Sequence, residues 1–120
     1  MPQYPSNLVA QNPTNALVPL KADAIGNLLT GSGLSSKLNI TAAGVVKVGA
    51  GRVSKIINNA GVAGFTVNDC ATTGAAAAAN AIMVTTTTTA GQVIALDFPF
   101  TTGLVVSAVG ASGVLAISFT

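Results

Sequence analysis

The chain has 120 residues, enough for one domain, and only 7% of them are charged, against about 25% in an ordinary soluble domain. The formal net charge is +2 and 50% of the residues are hydrophobic. This composition is poor support for nucleic-acid binding, and it predicts a surface that is uncharged and polar or covered by partners.

The first 37 residues have the composition of an arm. They contain four of the five prolines and the Gly31-Ser32-Gly33 cluster. We predict an extended N-terminal arm over residues 1–37, with a short helix from Lys21 to Leu29, followed by a β domain over residues 38–120. The arm carries apolar residues, so it is expected to lie on a neighbouring subunit or to fold back on its own domain. No basic region precedes an apolar stretch, so no signal peptide is expected.

From Leu38 onward, apolar residues recur with period two between turn residues, which predicts about eight short strands. The predicted strands are Leu38–Thr41, Gly44–Val48, Arg52–Asn59, Val62–Asn68, Ala81–Thr87, Gln92–Phe98, Leu104–Val109 and Val114–Phe119. No amphipathic helix is long enough for a parallel crossover, so the fold class is all-β: an antiparallel β-sandwich or jelly roll.

Alternation assigns the core face of each strand. The third strand has an ambiguous register, because Val53 and Ile57 compete with Ile56. The residues predicted to point inward elsewhere are Leu38 and Ile40, Val46 and Val48, Ala63, Phe65 and Val67, Ile94, Leu96 and Phe98, and Leu115, Ile117 and Phe119.

The segment Cys70–Asn80 consists of small residues, and Ala75–Ala79 within it predicts a short helical turn or a tightly packed connection. Cys70 is the only cysteine, which excludes an intrachain disulfide. Its neighbour Asp69 disfavours a thiolate, so a half-buried structural role is expected for it. Asn39-Ile40-Thr41 matches a glycosylation acceptor, which we interpret as a chance match.

The residue inventory argues against catalysis. The chain has no histidine and three acidic residues, and spacing does not bring the acids Asp23, Asp69 and Asp97 together. Ser54 and Lys55 are adjacent on a strand and point to opposite faces. We therefore predict no catalytic residues, no cofactor, no metal site and no enzymatic activity.

Two further patterns are rejected as functional motifs. Gly49-Ala50-Gly51-Arg52-Val53-Ser54 begins like a dinucleotide fingerprint, but it lacks the third glycine and a following helix, which favours a β-turn. The longest apolar run, from Gly103 to Ile117, is shorter than the roughly 20 residues of a membrane-spanning helix, so no membrane association is expected.

Lys47, Arg52 and Lys55 form the one cluster of basic residues. They are candidates for a contact with a partner, and an acidic protein surface fits them better than nucleic acid, which is not expected. A solvated hairpin face explains the cluster equally well. Strand edges with few charges favour pairing with other chains, so a homo-oligomer or a permanent partner is expected.

The segments 43–53, 58–64 and 98–104 (Ala-Gly-Val-Val-Lys-Val-Gly-Ala-Gly-Arg-Val, Asn-Asn-Ala-Gly-Val-Ala-Gly and Phe-Pro-Phe-Thr-Thr-Gly-Leu) resemble small structural proteins of tailed bacteriophages. The resemblance covers about two thirds of the chain. It implies a capsid decoration or cement protein, made in the host cytoplasm, that binds the major capsid protein and itself on the outer surface of the virion.

Two alternatives to the decoration protein remain. Similar β modules occur as phage tail components and head-fibre bases, which would be present in low copy number. A host-surface or carbohydrate-binding module is the other. Such modules use aromatic platforms, whereas this chain has no tryptophan and one tyrosine, Tyr4 in the arm.

Overall fold

A computed structural model describes residues 9–11, 17–19 and 35–120. It confirms the all-β antiparallel sandwich. The strands are β1 (Val9–Gln11), β2 (Leu17–Pro19), β3 (Ser35–Ile40), β4 (Gly44–Val48), β5 (Gly51–Asn58), β6 (Ala63–Asp69), β7 (Ala81–Thr88), β8 (Val93–Phe100), β9 (Gly103–Val109) and β10 (Leu115–Phe119).

The first two strands form a unit of their own. β1 pairs with β2 in an antiparallel hairpin in which Val9 lies opposite Pro19. The helix predicted from Lys21 to Leu29 lies outside the described residues.

The other eight strands form two four-stranded sheets. One has the order β3-β10-β5-β8 and is called the β5 sheet below; the other has the order β4-β9-β6-β7 and is called the β6 sheet. β3 pairs with β10, β4 with β9, β5 with β8 and β6 with β7, all antiparallel. Among these eight strands the first therefore pairs with the last, and the pairing continues inward. This is the strand pairing of a jelly roll.

The predicted strand boundaries are close to the observed ones. The first strand of the sandwich begins at Ser35, so residues 35–37, which the sequence assigned to the arm, belong to the β5 sheet. The remaining boundaries lie within two residues of the prediction. Turn residues account for this accuracy, because glycine and asparagine fix where each strand must end.

The core lies between the inner faces of the two sheets. Ala63, Phe65 and Val67 are buried on β6, which confirms the inward face predicted for that strand. The buried core cluster consists of Ile40, Val53, Ile56, Phe65, Val67, Phe100, Leu104, Val106, Leu115 and Ile117. Burial of each large side chain contributes about 1.5–3 kcal/mol, which makes this cluster the main source of stability.

All four edge strands carry a β-bulge. In β3, β4, β7 and β8 the ladder to the neighbouring strand shifts by one residue, and the extra residue lies on the edge strand each time. Asn39 in β3 and Asp97 in β8 take positive φ angles of 54° and 47° there. Bulges twist an edge away from incoming strands, so they protect edges that have few charges.

The bulges in β3 and β4 overturn two inward assignments. Leu38 and Val48 are 68% and 73% exposed, because an extra residue breaks the alternation in each of these edge strands. Phe98 pairs with the buried Val53 and lies on the same face as Phe100, as alternation predicts, but on the edge strand β8 it is 49% exposed. Phe100, at 2% exposure, supplies the buried aromatic ring of β8.

A bulge also settles the register of β5. Val53 and Ile56 are both completely buried, while Ile57 is half-buried. The β5–β10 ladder shifts between Val53 and Lys55, so two inward residues are separated by three positions instead of two.

The connection between β6 and β7 contains two short 3₁₀ turns, Thr73–Ala75 and Ala78–Asn80, in agreement with the predicted helical turn. Cys70 is 3% exposed, more deeply buried than expected, and its thiol donates to the Thr72 carbonyl over 3.3 Å. The described part of the chain has no helix with the length and apolarity to cross a membrane.

Candidate interaction surface

The three basic residues singled out in the sequence have different surroundings. Lys47 lies on β4 in the β6 sheet, whereas Arg52 and Lys55 lie on β5 in the other sheet. The surroundings of each residue are therefore described in turn.

Lys47 is held by backbone carbonyls. Its amine donates to Ala50 over 2.7 Å and to Thr120 over 2.8 Å, and it lies 5.7 Å from the centroid of the Phe100 ring. An ammonium over an aromatic face is an attractive arrangement. These contacts tie the β4–β5 turn to the segment after β10, which gives Lys47 a structural role.

Arg52 is neutralised by Asp97. Its Nε donates to the Asp97 carboxylate and its Nη2 donates to the Asp97 carbonyl over 2.9 Å. The hydrogen bond from the guanidinium to the carboxylate raises the pKa of Arg52. The positive φ of Asp97 at the β8 bulge presents both of its acceptors to one guanidinium.

Lys55 has no such partner. Its side chain is exposed, and among the residues that the structure describes its amine makes no hydrogen bond or ion pair. In the ladder it lies between Ser118 on β10 and Ala95 on β8. Lys55 is therefore the residue of the predicted cluster that is available to a partner.

An apolar row runs beside Lys55 across the outer face of the β5 sheet. Ile57 pairs with Ala116 on one side and with Val93 on the other. Ala116 lies opposite the β3 bulge that contains Leu38, since the residues on either side of it pair with Lys37 and Ile40. The row Leu38, Ala116, Ile57 and Val93 therefore crosses all four strands, and we call it the apolar row.

The apolar row and the row of Lys55 enclose a shallow depression of about 130 Å³. It is lined by Ser36, Leu38, Lys55, Ile57, Ala116 and Ser118, with Ile117 beneath them. At the ends of the apolar row, Leu38 and Val93 are 68% and 54% exposed. Chemically this surface offers aliphatic contacts and one ammonium group.

Sequence reasoning found Lys55 but missed the apolar row. The period of β5 places Ile57 on the same face as Lys55, and that signal was present in the sequence. The alignment of Leu38 and Val93 with Ile57 depends on strand order and on two bulges, neither of which local patterns reveal.

The β6 sheet carries a second, larger cleft of about 420 Å³, lined by Thr66, Asn68, Thr73, Ala76, Ala77, Ala78, Ala81, Val84 and Ser107. Its central polar residue, Asn68, is 2% exposed. The amide of Asn68 donates to Ala77 and Asn80 over 2.9 and 2.8 Å, and its oxygen accepts from Ser107 over 2.6 Å. These bonds use both donor hydrogens of the amide to hold the connection onto the sheet.

The two carboxylates of the sandwich have separate structural partners. Asp97 pairs with Arg52, and Asp69 accepts hydrogen bonds from Thr101, Thr102 and Gly103. Within residues 35–120 and the short hairpin, no group of three or more His, Cys, Asp or Glu side chains could hold a metal ion.

No protein family model matches the chain, and neither does any curated protein or solved structure with which it was compared. The surface on the β5 sheet is thus the feature on which a functional proposal must rest.

Proposed function

We propose that this chain is a non-enzymatic structural protein of a phage virion that binds the outer surface of the capsid and cements the shell. Its partners are the major capsid protein and further copies of itself. The observation that carries the proposal is the exposed apolar row across the β5 sheet of a jelly roll in which only 7% of residues are charged. A surface of this kind is suited to binding other proteins.

Two further observations support this function over another. The resemblance of residues 43–53, 58–64 and 98–104 to small phage structural proteins points in the same direction, and jelly rolls are frequent in viral capsid proteins. Fold alone does not determine function, since lectins share this architecture. Carbohydrate sites favour platforms of exposed aromatic rings, whereas Phe65 and Phe100 are buried, Phe119 is half-buried, and Phe98 is the one exposed phenylalanine of the described residues.

Quantitative mass spectrometry of purified virions tests the proposal. We expect hundreds of copies per particle, matching a class of icosahedral positions relative to the major capsid protein. A few to a few dozen copies would favour the alternative of a tail or head-fibre base component. Absence from the particle would overturn a virion function altogether.

The N-terminal segment is proposed to contact neighbouring subunits. A truncation that tests this role should end at Gly31, because Ser35 already begins β3 and its loss would damage the β5 sheet. We expect the truncated protein to remain folded and to bind capsids more weakly. Binding equal to that of the full chain would refute the role of this segment.

A further inference from the structure

The outer face of the β5 sheet has a chemical pattern that specifies what it can bind. The apolar row crosses four strands, which at about 4.8 Å between strands is a width of about 15 Å. The next row along the sheet holds Ser36, Ser118, Lys55 and Ala95, all paired in register. One ammonium group therefore stands beside an aliphatic strip, among side chains too small to cover it.

The other charged side chains on this side of β5 and β8 are paired with each other. Arg52, three positions earlier on β5, is neutralised by Asp97. Lys55 is thus the one uncompensated charge of this face within the described residues. A partner that covers the face must supply acceptors to Lys55, because an unpaired ammonium removed from water is costly, and a carboxylate is the acceptor that binds an ammonium most strongly.

We infer that this face is the surface that binds the capsid protein, and that the partner presents aliphatic side chains beside a single carboxylate directed at Lys55. The inference rests on the function proposed above. It assigns the contact to the apolar row and Lys55 and leaves Lys47 and Arg52, whose polar groups already have partners, outside it.

Two other occupants fit the face less well. Two copies packed face to face about a twofold axis along the strands would bring Lys55 towards its own equivalent, and like charges across an interface are unfavourable. Nucleic acid needs several phosphate contacts, and this face offers one free ammonium group.

The size of the face determines how tightly it can bind. Two rows about 7 Å apart and about 15 Å wide present a few hundred Å² at most, below the roughly 800 Å² per partner of a standard interface. A single contact is therefore weak, and firm attachment requires many copies on a repeating lattice. This is the situation on the surface of a shell.

Co-sedimentation with particles that lack the protein tests the inference. Lys55→Glu and Leu38→Ser should each reduce bound protein about tenfold or more at subsaturating concentration, as expected when a residue that carries much of the binding energy is replaced. Lys37→Glu is the matched charge control, since it changes the net charge by the same amount as Lys55→Glu. The amine of Lys37 donates to the Val45 carbonyl and is not part of the proposed contact. Val84→Ser, at 64% exposure on the β6 sheet, is the matched apolar control. Both controls should bind as the wild type does.

Zero-length carbodiimide cross-linking provides a second readout that does not depend on affinity. It should join the Lys55 amine to an aspartate or glutamate of the capsid protein as an amide, identified by mass spectrometry. Lys55→Arg keeps the charge, so it should preserve binding and abolish this cross-link. A cross-link from Lys55 to another copy of this chain would overturn the inference in favour of self-association.

The outcomes separate the two proposals. If the wild type does not bind the particles, both the proposed function and this inference fail. If the wild type binds and the Lys55 and Leu38 variants bind equally well, the assigned face is wrong while the capsid-binding function stands. Circular dichroism and thermal unfolding of each variant establish that a loss of binding is not a loss of fold.

Discussion

The side-chain amide of Asn58 on β5 donates a hydrogen bond of 3.1 Å to the hydroxyl of Thr88 on β7. These strands belong to different sheets, so the bond joins the two sheets at one end of the sandwich. Both residues are almost completely buried, at 1% and 2% exposure. The Asn58 oxygen accepts from the backbone N–H groups of Ala60 and Val114, and the Thr88 hydroxyl donates to the Ala63 carbonyl over 2.6 Å.

We predict that Thr88→Val destabilises the fold by about 1–3 kcal/mol. The substitution keeps the shape but removes the hydroxyl that donates to the buried Ala63 carbonyl, and it takes away one of the three acceptors of the Asn58 amide. Thr86→Val, at an exposed position of the same strand, is the control and should change stability by less than about 0.5 kcal/mol. Urea denaturation measures both, and equal effects of the two substitutions would contradict a role for the buried network.

Phe98 and Phe100 lie on the same face of β8 but differ in burial, which a pair of substitutions can test. Phe100→Ala should cost about 3–5 kcal/mol, because the ring is 2% exposed and its removal leaves a cavity in the core. Phe98→Ala should cost about 1 kcal/mol or less, since that ring is 49% exposed. Thermal or chemical unfolding distinguishes the two variants. Equal losses of stability from the two substitutions would contradict this difference in burial.

Bulges explain which parts of the fold the sequence predicted. Strand positions were found because turn residues mark the ends of strands, and they are local signals. The faces of Leu38 and Val48 were missed, since period-two counting assumes an uninterrupted ladder. Asn39 and Asp97 are residue types that tolerate positive φ, so the sequence is compatible with a bulge at each of these positions in β3 and β8. The bulge in β4 involves Val46, which gives no such signal.

The candidate surface was predictable only in part for the same reason. Lys55 and its exposure follow from β5 alone, but the apolar row combines residues from four strands that are distant in sequence. Their alignment results from first-with-last strand pairing, which is a property of the whole chain. The sequence also does not reveal that the turn between β4 and β5 places Lys47 and Lys55 in different sheets.

The conformation of Asn39 leads to a third prediction. Its φ of 54° suits asparagine or glycine, and a β-branched residue is strained there. Asn39→Val should therefore destabilise the protein by about 1–2 kcal/mol, although valine is a strong strand former. Asn39→Gly, which accepts the same backbone angles, should have little effect. A valine variant as stable as the wild type would argue against the β3 bulge.

Asp69 acts as a cap for the loop between β8 and β9. Its two carboxylate oxygens accept from the backbone N–H groups of Thr101, Thr102 and Gly103 over 2.8, 2.8 and 3.1 Å, and from the Thr101 hydroxyl over 3.1 Å. Burial by itself raises the pKa of Asp69, but these four hydrogen bonds outweigh it, so the net pKa lies below the usual 3.8. The folded state thus favours the charged form.

This direction predicts how stability depends on pH. A carboxylate with a lowered pKa in the folded state contributes its full stabilisation above the pKa of the unfolded chain, and the contribution is lost as pH falls through the folded-state pKa. The difference in unfolding free energy between wild type and Asp69→Asn should be constant above about pH 5 and should shrink below about pH 4. Thr101→Val, which removes one donor and retains the carboxylate, should be less destabilising and should keep the acid dependence. Denaturant unfolding from pH 2 to pH 7 measures all three proteins, and a wild-type advantage that persists undiminished at pH 2 would show that the charge of Asp69 does not hold this loop.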